Sequence, residues 1–239
     1  MPGSLKDKKV LITGASRGIG KSIAKLFKES NAYVIGTSTG AEQQLSFCDE
    51  SYSVDFLQQD QLLLFAEKLK SIEPDVLVNN AGINKIDSFS DIPFSDFCNI
   101  NQVNISAPFL LCQSVIPAMV KKKWGRIVNI SSIWGIISKE YRASYSASKH
   151  ALDGMTLALA IEHSKDGVLA NCVSPGFTDT ELTRKVLGNK QIEEIQTSIP
   201  IGRLANPAEI AKLVLWLASE ENNYVTGQNI AIDGGFSRA

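Results

Sequence analysis

Seven short apolar runs, spaced along the chain by stretches of helical period, constrain this sequence more than any other feature. KKVLIT, AYVIGT, YSVDF, DVLVNN, GRIVNIS, VLANCV and QNIAID each read as one strand. Between them, Ile19, Ile23 and Phe27, and then Leu62, Phe65, Ala66 and Leu69, recur at the spacing of an amphipathic helix. Seven strands joined by helical crossovers imply a parallel sheet covered on both faces. Crossovers of this kind are right-handed.

The predicted fold is therefore α/β: a doubly wound, Rossmann-type parallel seven-stranded sheet with helices on both faces. The 239 residues suit one domain spanning 1–239, with no repeat, low-complexity tract or linker. Residues 174–207 carry the densest turn chemistry, with Ser-Pro-Gly, Pro200 and Asn-Pro around a helical stretch. A mobile substrate lid over about 177–205 fits this composition, and so does an ordinary connecting segment.

Charge excludes some functions. Lys plus Arg number 24 against 25 Asp plus Glu, a net charge of -1, so no basic surface points to nucleic acid. Apolar runs such as APFLLC are too short to span a bilayer, so no membrane partner is expected. No secretion signal is recognisable, and the expected location is cytoplasmic. Cys48, Cys98, Cys112 and Cys172 are dispersed, and His150 and His163 are the only histidines, so no metal site is expected.

After the first strand, Thr13-Gly14-Ala15-Ser16-Arg17-Gly18-Ile19-Gly20 opens directly into a helix. Glycines there let the backbone turn sharply and approach a pyrophosphate. The helix N-terminus adds free N–H groups and a positive dipole end. NAD-binding folds place an acid about 20 residues past this loop to hold the ribose 2′-OH. This chain has Gly36-Thr37-Ser38 there. Arg17, with the Thr37 and Ser38 hydroxyls, instead suits a 2′-phosphate, so NADP(H) is expected over NAD(H). Glu42, further on, is the competing ribose partner.

Tyr145 and Lys149 lie four apart in the helical stretch SYSASKHALDGMTLALAIE and share a face. Bringing a phenol from pKa near 10 to about 7 takes roughly 4 kcal/mol, which one positive charge at about 4 Å supplies at an effective dielectric near 20. Taken alone the pair is a weak signal. Ser131-Ser132 ends the strand GRIVNIS, and Asn79-Asn80-Ala81-Gly82 ends the strand before it. Pro175-Gly176 follows VLANCVS at the same edge, and Asn104 falls in the helix between. Ligands of an open α/β sheet bind at this carboxyl edge.

With TGASRGIG, NNAG, Asn104, Ser132, YSASK and SPG in this order, the chain resembles the short-chain dehydrogenases/reductases over essentially its whole length. It is most similar to bacterial 3-oxoacyl-(acyl-carrier-protein) reductases, through GTSTG, KKKWGRIVNISS, SPGFTDTELT, IPIGRLANPAEIA and YVTGQNIAIDGG. The resemblance implies that Tyr145 is the acid in reduction and the base in oxidation. It implies that Lys149 binds the nicotinamide ribose and lowers the tyrosine pKa, and that Ser132 bonds the substrate carbonyl. Asn104 is implied to anchor a water that relays protons to Lys149. Gly14, Ser16, Arg17, Gly18, Ile19 and Gly20 are the implied phosphate loop. Asp55 and Phe56 are implied at the adenine, and Asn80, Ala81 and Gly82 at the adenosine ribose. Pro175, Gly176, Thr178 and Thr180 are implied around the nicotinamide and diphosphate.

The departures concern substrate. Relatives that use a carrier protein carry two basic surface residues that dock it. Here the first is Lys123, but the second position holds Asp166. Trp134 and Arg142, in the segment WGIISKEYR, are candidate substrate residues. The leading expectation is NADPH-dependent reduction of a 3-oxoacyl thioester. The alternative is a dehydrogenase of a sugar, nucleotide sugar or polyol, and a distant third is a non-catalytic dinucleotide sensor or scaffold. Apolar residues on several faces of AEIAKLVLWLASEE, and a strand near the chain's end, lead to an expected homotetramer or dimer.

Overall fold

The computed structural model describes residues 5–40 and 44–239, with the side chains of Leu182 and of 186–190 left aside. The strands are β1 (Lys9–Ile12), β2 (Tyr33–Ser38), β3 (Glu50–Ser53), β4 (Val76–Asn79), β5 (Gly125–Ile130), β6 (Val168–Pro175) and β7 (Asn229–Ile232). They form one sheet in the order β3-β2-β1-β4-β5-β6-β7, and every pairing is parallel. The chain turns back at the boundary between β1 and β4. There the crevice at the strands' carboxyl ends opens.

Helices cover both faces. They are α1 (Gly18–Glu29), α2 (Gln59–Ile72), α3 (Phe94–Asn101), α4 (Ala107–Lys122), α5 (Ala143–His163), α6 (Glu181–Ser198) and α7 (Pro207–Ala218). Successive strand residues point to opposite faces, so β1 and β4 each feed two cores. Val10, Ile12, Val76 and Val78 join Ile23 and Phe27 of α1 and Ile210 and Val214 of α7. Leu11 and Leu77 join Leu62 and Phe65 of α2, Leu111 and Val115 of α4 and Leu159 of α5. The seven runs read from the sequence are the seven strands, with one shift. The third was read as YSVDF, but β3 pairs with β2 only from Glu50 to Ser53, opposite Ile35 to Ser38. Beyond that point β2 has ended, and Val54 and Phe56 turn into the core under α2.

The stretch Phe94–Lys122 is helical throughout, because a π turn over Gln102–Ser106 joins α3 to α4. Its 29 residues are long and apolar enough to cross a membrane, a length that no apolar run of the sequence announced. Half of its most apolar window lies buried inside the fold, as in the core helix of a packed domain. The π turn matters locally, because such turns redirect side chains and recur at functional sites.

Candidate active site

The loop between β1 and α1 is shaped by contacts only glycine permits. Gly14 and Gly18 have φ of +66° and +55°. A Cβ on Gly20 would run into the Gly14 carbonyl, and one on Gly14 would meet the Ala81 Cα at 3.1 Å. The end of β4 braces this loop. The Thr13 hydroxyl accepts from the Asn80 and Ala81 N–H groups, both at 3.0 Å, and the Asn80 amide donates to the Thr13 and Gly14 carbonyls at 2.9 and 3.0 Å. The first turn of α1 holds no acid and no side-chain cap, so its dipole end and N–H groups face the crevice. A cradle with this backbone and no side chains in the way fits a dinucleotide pyrophosphate.

Residues expected around the cofactor divide into three groups. Ser16 and Arg17 are exposed, and Arg17 has no ion-pair partner among the described residues. Ser38 is half-buried at the end of β2, and Asp55 lies just past β3 with one oxygen accepting from the Leu57 N–H at 3.0 Å. Thr37 behaves differently from the sequence reading. Its buried hydroxyl accepts from the Gly14 N–H at 3.3 Å, so it stiffens the loop instead of facing a 2′-phosphate. The Phe56 ring is packed in the core. Ile19 packs partly against the opposite core. Glu42 lies outside the described residues.

The expected catalytic residues converge from three elements. Ser132 follows β5 and caps a short 3-10 turn, Ile133–Gly135, accepting from the Trp134 N–H at 3.2 Å. It lies near enough to the Tyr145 phenol of α5 to pull its pKa down. Lys149, one turn further along α5, is buried. Its Nζ donates to the Ile130 carbonyl at 2.8 Å and stands 5.6 Å from the Tyr145 ring centre. Asn104 sits inside the π turn, fully buried. Its Oδ1 accepts from the Ile83 N–H at 2.9 Å, and its Nδ2 donates to the Ile83 carbonyl and to Ser148 Oγ, both at 3.0 Å. Gly82 leaves open the space between Asn104 and Lys149. A Cβ there would lie 3.3 Å from Asn104 Oδ1 and 3.7 Å from Lys149 Nζ.

The electrostatics depart from the sequence expectation. Burial pushes the Tyr145 phenol above its ordinary range, against the opposing pull of the Ser132 hydroxyl and the Arg142 charge. Burial pushes Lys149 down to about 8. The Lys149 ammonium donates to the Ile130 carbonyl, and desolvation dominates at the phenol.

Two positioning residues escaped the sequence reading. Ser148 accepts from Asn104 and donates to the Tyr145 carbonyl at 2.8 Å, tying the π turn to the catalytic turn of α5. Its only signal was its place beside Lys149. Thr13 stood in the quoted loop without a role. Trp134 is buried, packed edge-on against Phe177 and Phe236 with ring centres 6.1 Å away in each case. It forms a wall beyond Ser132 rather than a free aromatic surface. Arg142 is half-buried at the start of α5.

The segment after β6 closes the crevice. A Cβ on Gly176 would meet the Asp233 Cβ at 2.7 Å, and Thr178 donates to the Gly176 carbonyl at 3.1 Å. Thr180 caps α6, and its methyl lies 3.6 Å from the place a Gly18 Cβ would occupy, against the phosphate loop. Backbone bonds from Asp179 to Ala205 and from Ala205 to Phe177 fasten the two ends of this segment together. On the far surface, Lys123 and Asp166 form an ion pair at 2.9 Å.

Comparison with known proteins agrees with this geometry. Residues 14–237 match the sequence family described as enoyl-(acyl carrier protein) reductase. A 3-oxoacyl-(acyl-carrier-protein) reductase of Vibrio cholerae is 37% identical over 240 residues, covering 97% of this chain and 98% of that protein. Among solved structures, an NAD(P)-dependent gluconate 5-dehydrogenase of Beutenbergia cavernae with bound NADP superposes with a TM-score of 0.93 at 32% identity, covering the whole of both chains. A 4-hydroxyisoleucine dehydrogenase complexed with NADH superposes at 0.90 with 31% identity, covering 98% of this chain and all of that one.

Proposed function

The chain belongs to the short-chain dehydrogenase/reductase family, and from that premise we propose that it interconverts a ketone and a secondary alcohol with NADP(H), with Tyr145 as the proton donor in reduction. One observation carries the reading. The Ser132 hydroxyl stands near enough to the Tyr145 phenol to lower its pKa, one turn from the buried Lys149, at the carboxyl edge of the sheet.

A bound nicotinamide dinucleotide supplies the hydride. The protein's residues do the rest. Ser132 and Tyr145 both direct hydroxyl groups at one substrate oxygen, which takes on negative charge as the carbonyl is reduced. A phenol held above its ordinary range stays protonated and ready to donate in reduction. Lys149 and Asn104 line the route by which that proton is replaced. Gly14, Gly18 and Gly20 receive the diphosphate, and Thr180 holds the base of α6 against them. The segment 177–205 is the lid of a single domain, hinged where Phe177 and Asp179 meet Ala205. Turnover of Tyr145→Phe is expected to fall at least ~10²-fold, the lower end for general acid–base catalysis. An unchanged rate sinks the mechanism.

NADP(H) is the proposed cofactor because, among the described residues, Arg17 is exposed without an ion-pair partner, Ser38 is half-buried at the end of β2, and no acid stands there. Catalytic efficiency with NADPH should exceed that with NADH, and Arg17→Ala should erase the difference. A native preference for NADH overturns this choice.

For substrate, likeness to the Vibrio enzyme favours a 3-oxoacyl thioester. A sugar or polyol is the second reading, and the Lys123–Asp166 pair supports it, since an acidic carrier meets a neutralised lysine there. Robust reduction of acetoacetyl-CoA beside a panel of ketoses decides for the first. We also propose a homotetramer or dimer in the cytoplasm. Trp216, Phe109 and Ile161 leave apolar surface exposed, and the four cysteines are free thiols. A stable monomer in light scattering contradicts the assembly.

A further inference from the structure

Arg142 has no part in the proton and hydride chemistry, yet it stands beside it. It precedes α5 by one residue and Tyr145 by three, a spacing that puts both side chains on one face of the helix start. Its guanidinium is half-buried, and burial holds it below the ordinary arginine range. It is close enough for its charge to act on the Tyr145 phenol.

A guanidinium withdrawn from water normally meets a carboxylate, because an unpaired buried charge is costly. Among the described residues none pairs with Arg142. The acids of the surrounding loops are engaged elsewhere. Glu140 pairs with Lys139 at 3.9 Å, and Asp96 pairs with Lys85. Asp87, whose backbone N–H donates to the Tyr141 carbonyl, turns its carboxylate to the Ser88 N–H at 2.9 Å. On the lid side, Asp179 takes both forks of Arg184, at 2.6 and 2.7 Å. Asp233 accepts from the Gly235 and Ser237 N–H groups. The buried cation of the site, Lys149, is committed to the Ile130 carbonyl.

We propose that Arg142 receives a carboxylate carried by the substrate, and that the site has a further activity: the interconversion of short keto acids and hydroxy acids. The inference rests on Tyr145 and Ser132 being the reacting pair. The planar fork of one arginine matches the two oxygens of one carboxylate. A phosphate dianion calls for more donors than this position offers. The carbonyl carbon gains the hydride of the reduced dinucleotide and its oxygen gains the Tyr145 proton. One dinucleotide is oxidised for each hydroxy acid formed, and the carboxylate stays unchanged on Arg142.

The test compares acetoacetate with methyl acetoacetate in the NADPH-loaded enzyme. Wild type should favour the acid by about tenfold or more in kcat/KM, the worth of a charge-assisted hydrogen bond. Arg142→Gln should lose that preference, and Arg142→Lys should keep part of it. The ratio is the readout, because a general loss of activity leaves a ratio unmoved. A ratio near one in wild type, or one unaltered by Arg142→Gln, overturns the proposal. Calorimetry with malonate and the NADP-loaded protein needs no turnover. Wild type should bind it at least about tenfold more tightly than Arg142→Gln. Equal affinities, no binding by wild type, or tighter binding of inorganic phosphate overturn it too. Tyr145→Phe separates the two readings. It should keep malonate affinity while losing turnover, whereas full turnover in that variant defeats the catalytic pair whatever Arg142 does.

Discussion

Two helices border the same crevice and are built in opposite ways. α5 is sunk into the fold: Ser144, Ser146, Ser148, Lys149, Leu152, Thr156, Leu159 and Ala160 are all buried. Its polar side chains bond inward, Lys149 to Ile130, Ser148 to Asn104, and Thr156 to Asn129 at 2.7 Å. α6 has no buried residue among its described side chains, and it is held chiefly at its ends, by the Thr180 cap and the pairing of 177–179 with Ala205. Tyr145 and Lys149 sit on the helix that is sunk into the fold. The segment proposed to admit and cover the substrate sits on the one with little to lose by moving.

The sharpest way to test this division is to remove the charge of α5. Lys149→Met should lower kcat/KM by ~10² or more, as for loss of a preorganised electrostatic partner. It should also stabilise the protein. The folded pKa of Lys149, about 8, lies below the 10.5 of a free lysine. Below pH 8 both states carry the proton, and the folded state bears the full cost of a buried charge, about 3 kcal/mol by linkage. Losing the bond to Ile130 returns about 1 kcal/mol of that. The variant should thus be more stable by about 2 kcal/mol at pH 7. Between pH 8 and 10.5 the unfolded chain holds the proton that the folded one has released, so wild-type stability rises and the gap narrows. Urea denaturation of both proteins at pH 7 and 9.5 measures it, and a gap that widens refutes the account.

A smaller effect is expected at the cap of α6. Thr180→Ala removes the bond that Thr183 N–H makes to the Thr180 hydroxyl, about 1 kcal/mol of helix stability. Because α6 is fastened mainly at its ends, the loss should appear as local opening. Hydrogen exchange across 181–198 should quicken about fivefold while exchange in α5 stays unchanged. Equal acceleration in both helices denies that they are independent.

The fold was legible because parallel strands buried on both faces must be apolar throughout, and the helices between them keep their own period. Ser132, Tyr145 and Lys149 were legible because strand ends and helical spacing place them by geometry alone. What was hidden depends on which way a short polar side chain turns. Thr37 and Ser38 look alike in sequence, but neighbouring residues of a strand face opposite sides, and only Ser38 remains partly open. The end of β3 was misjudged because its apolar pattern runs three residues past its last partner, Ser53. The raised Tyr145 pKa was hidden for a different reason: it comes from burial of the phenol, which the spacing of Tyr145 and Lys149 does not reveal.

The smallest effect belongs to Arg184. It grips Asp179 with two bonds, yet both side chains lie in solvent, and exposed ion pairs contribute little to stability. Arg184→Ala should shift the melting temperature by no more than about 1 °C. Its consequence is electrostatic. Arg184 holds the Asp179 carboxyl below the usual carboxylate range, and without it Asp179 still keeps its charge at neutral pH. That charge then stands unneutralised one residue before Thr180, beside the loop proposed to hold the diphosphate. The KM for NADPH should rise about two- to threefold at low salt and return toward wild type as ionic strength passes 0.15 M, where charges more than about 8 Å apart are screened. A KM that rises equally at all salt concentrations instead assigns Arg184 to the shape of α6, and makes that helix less independent of its base than its exposed surface suggests.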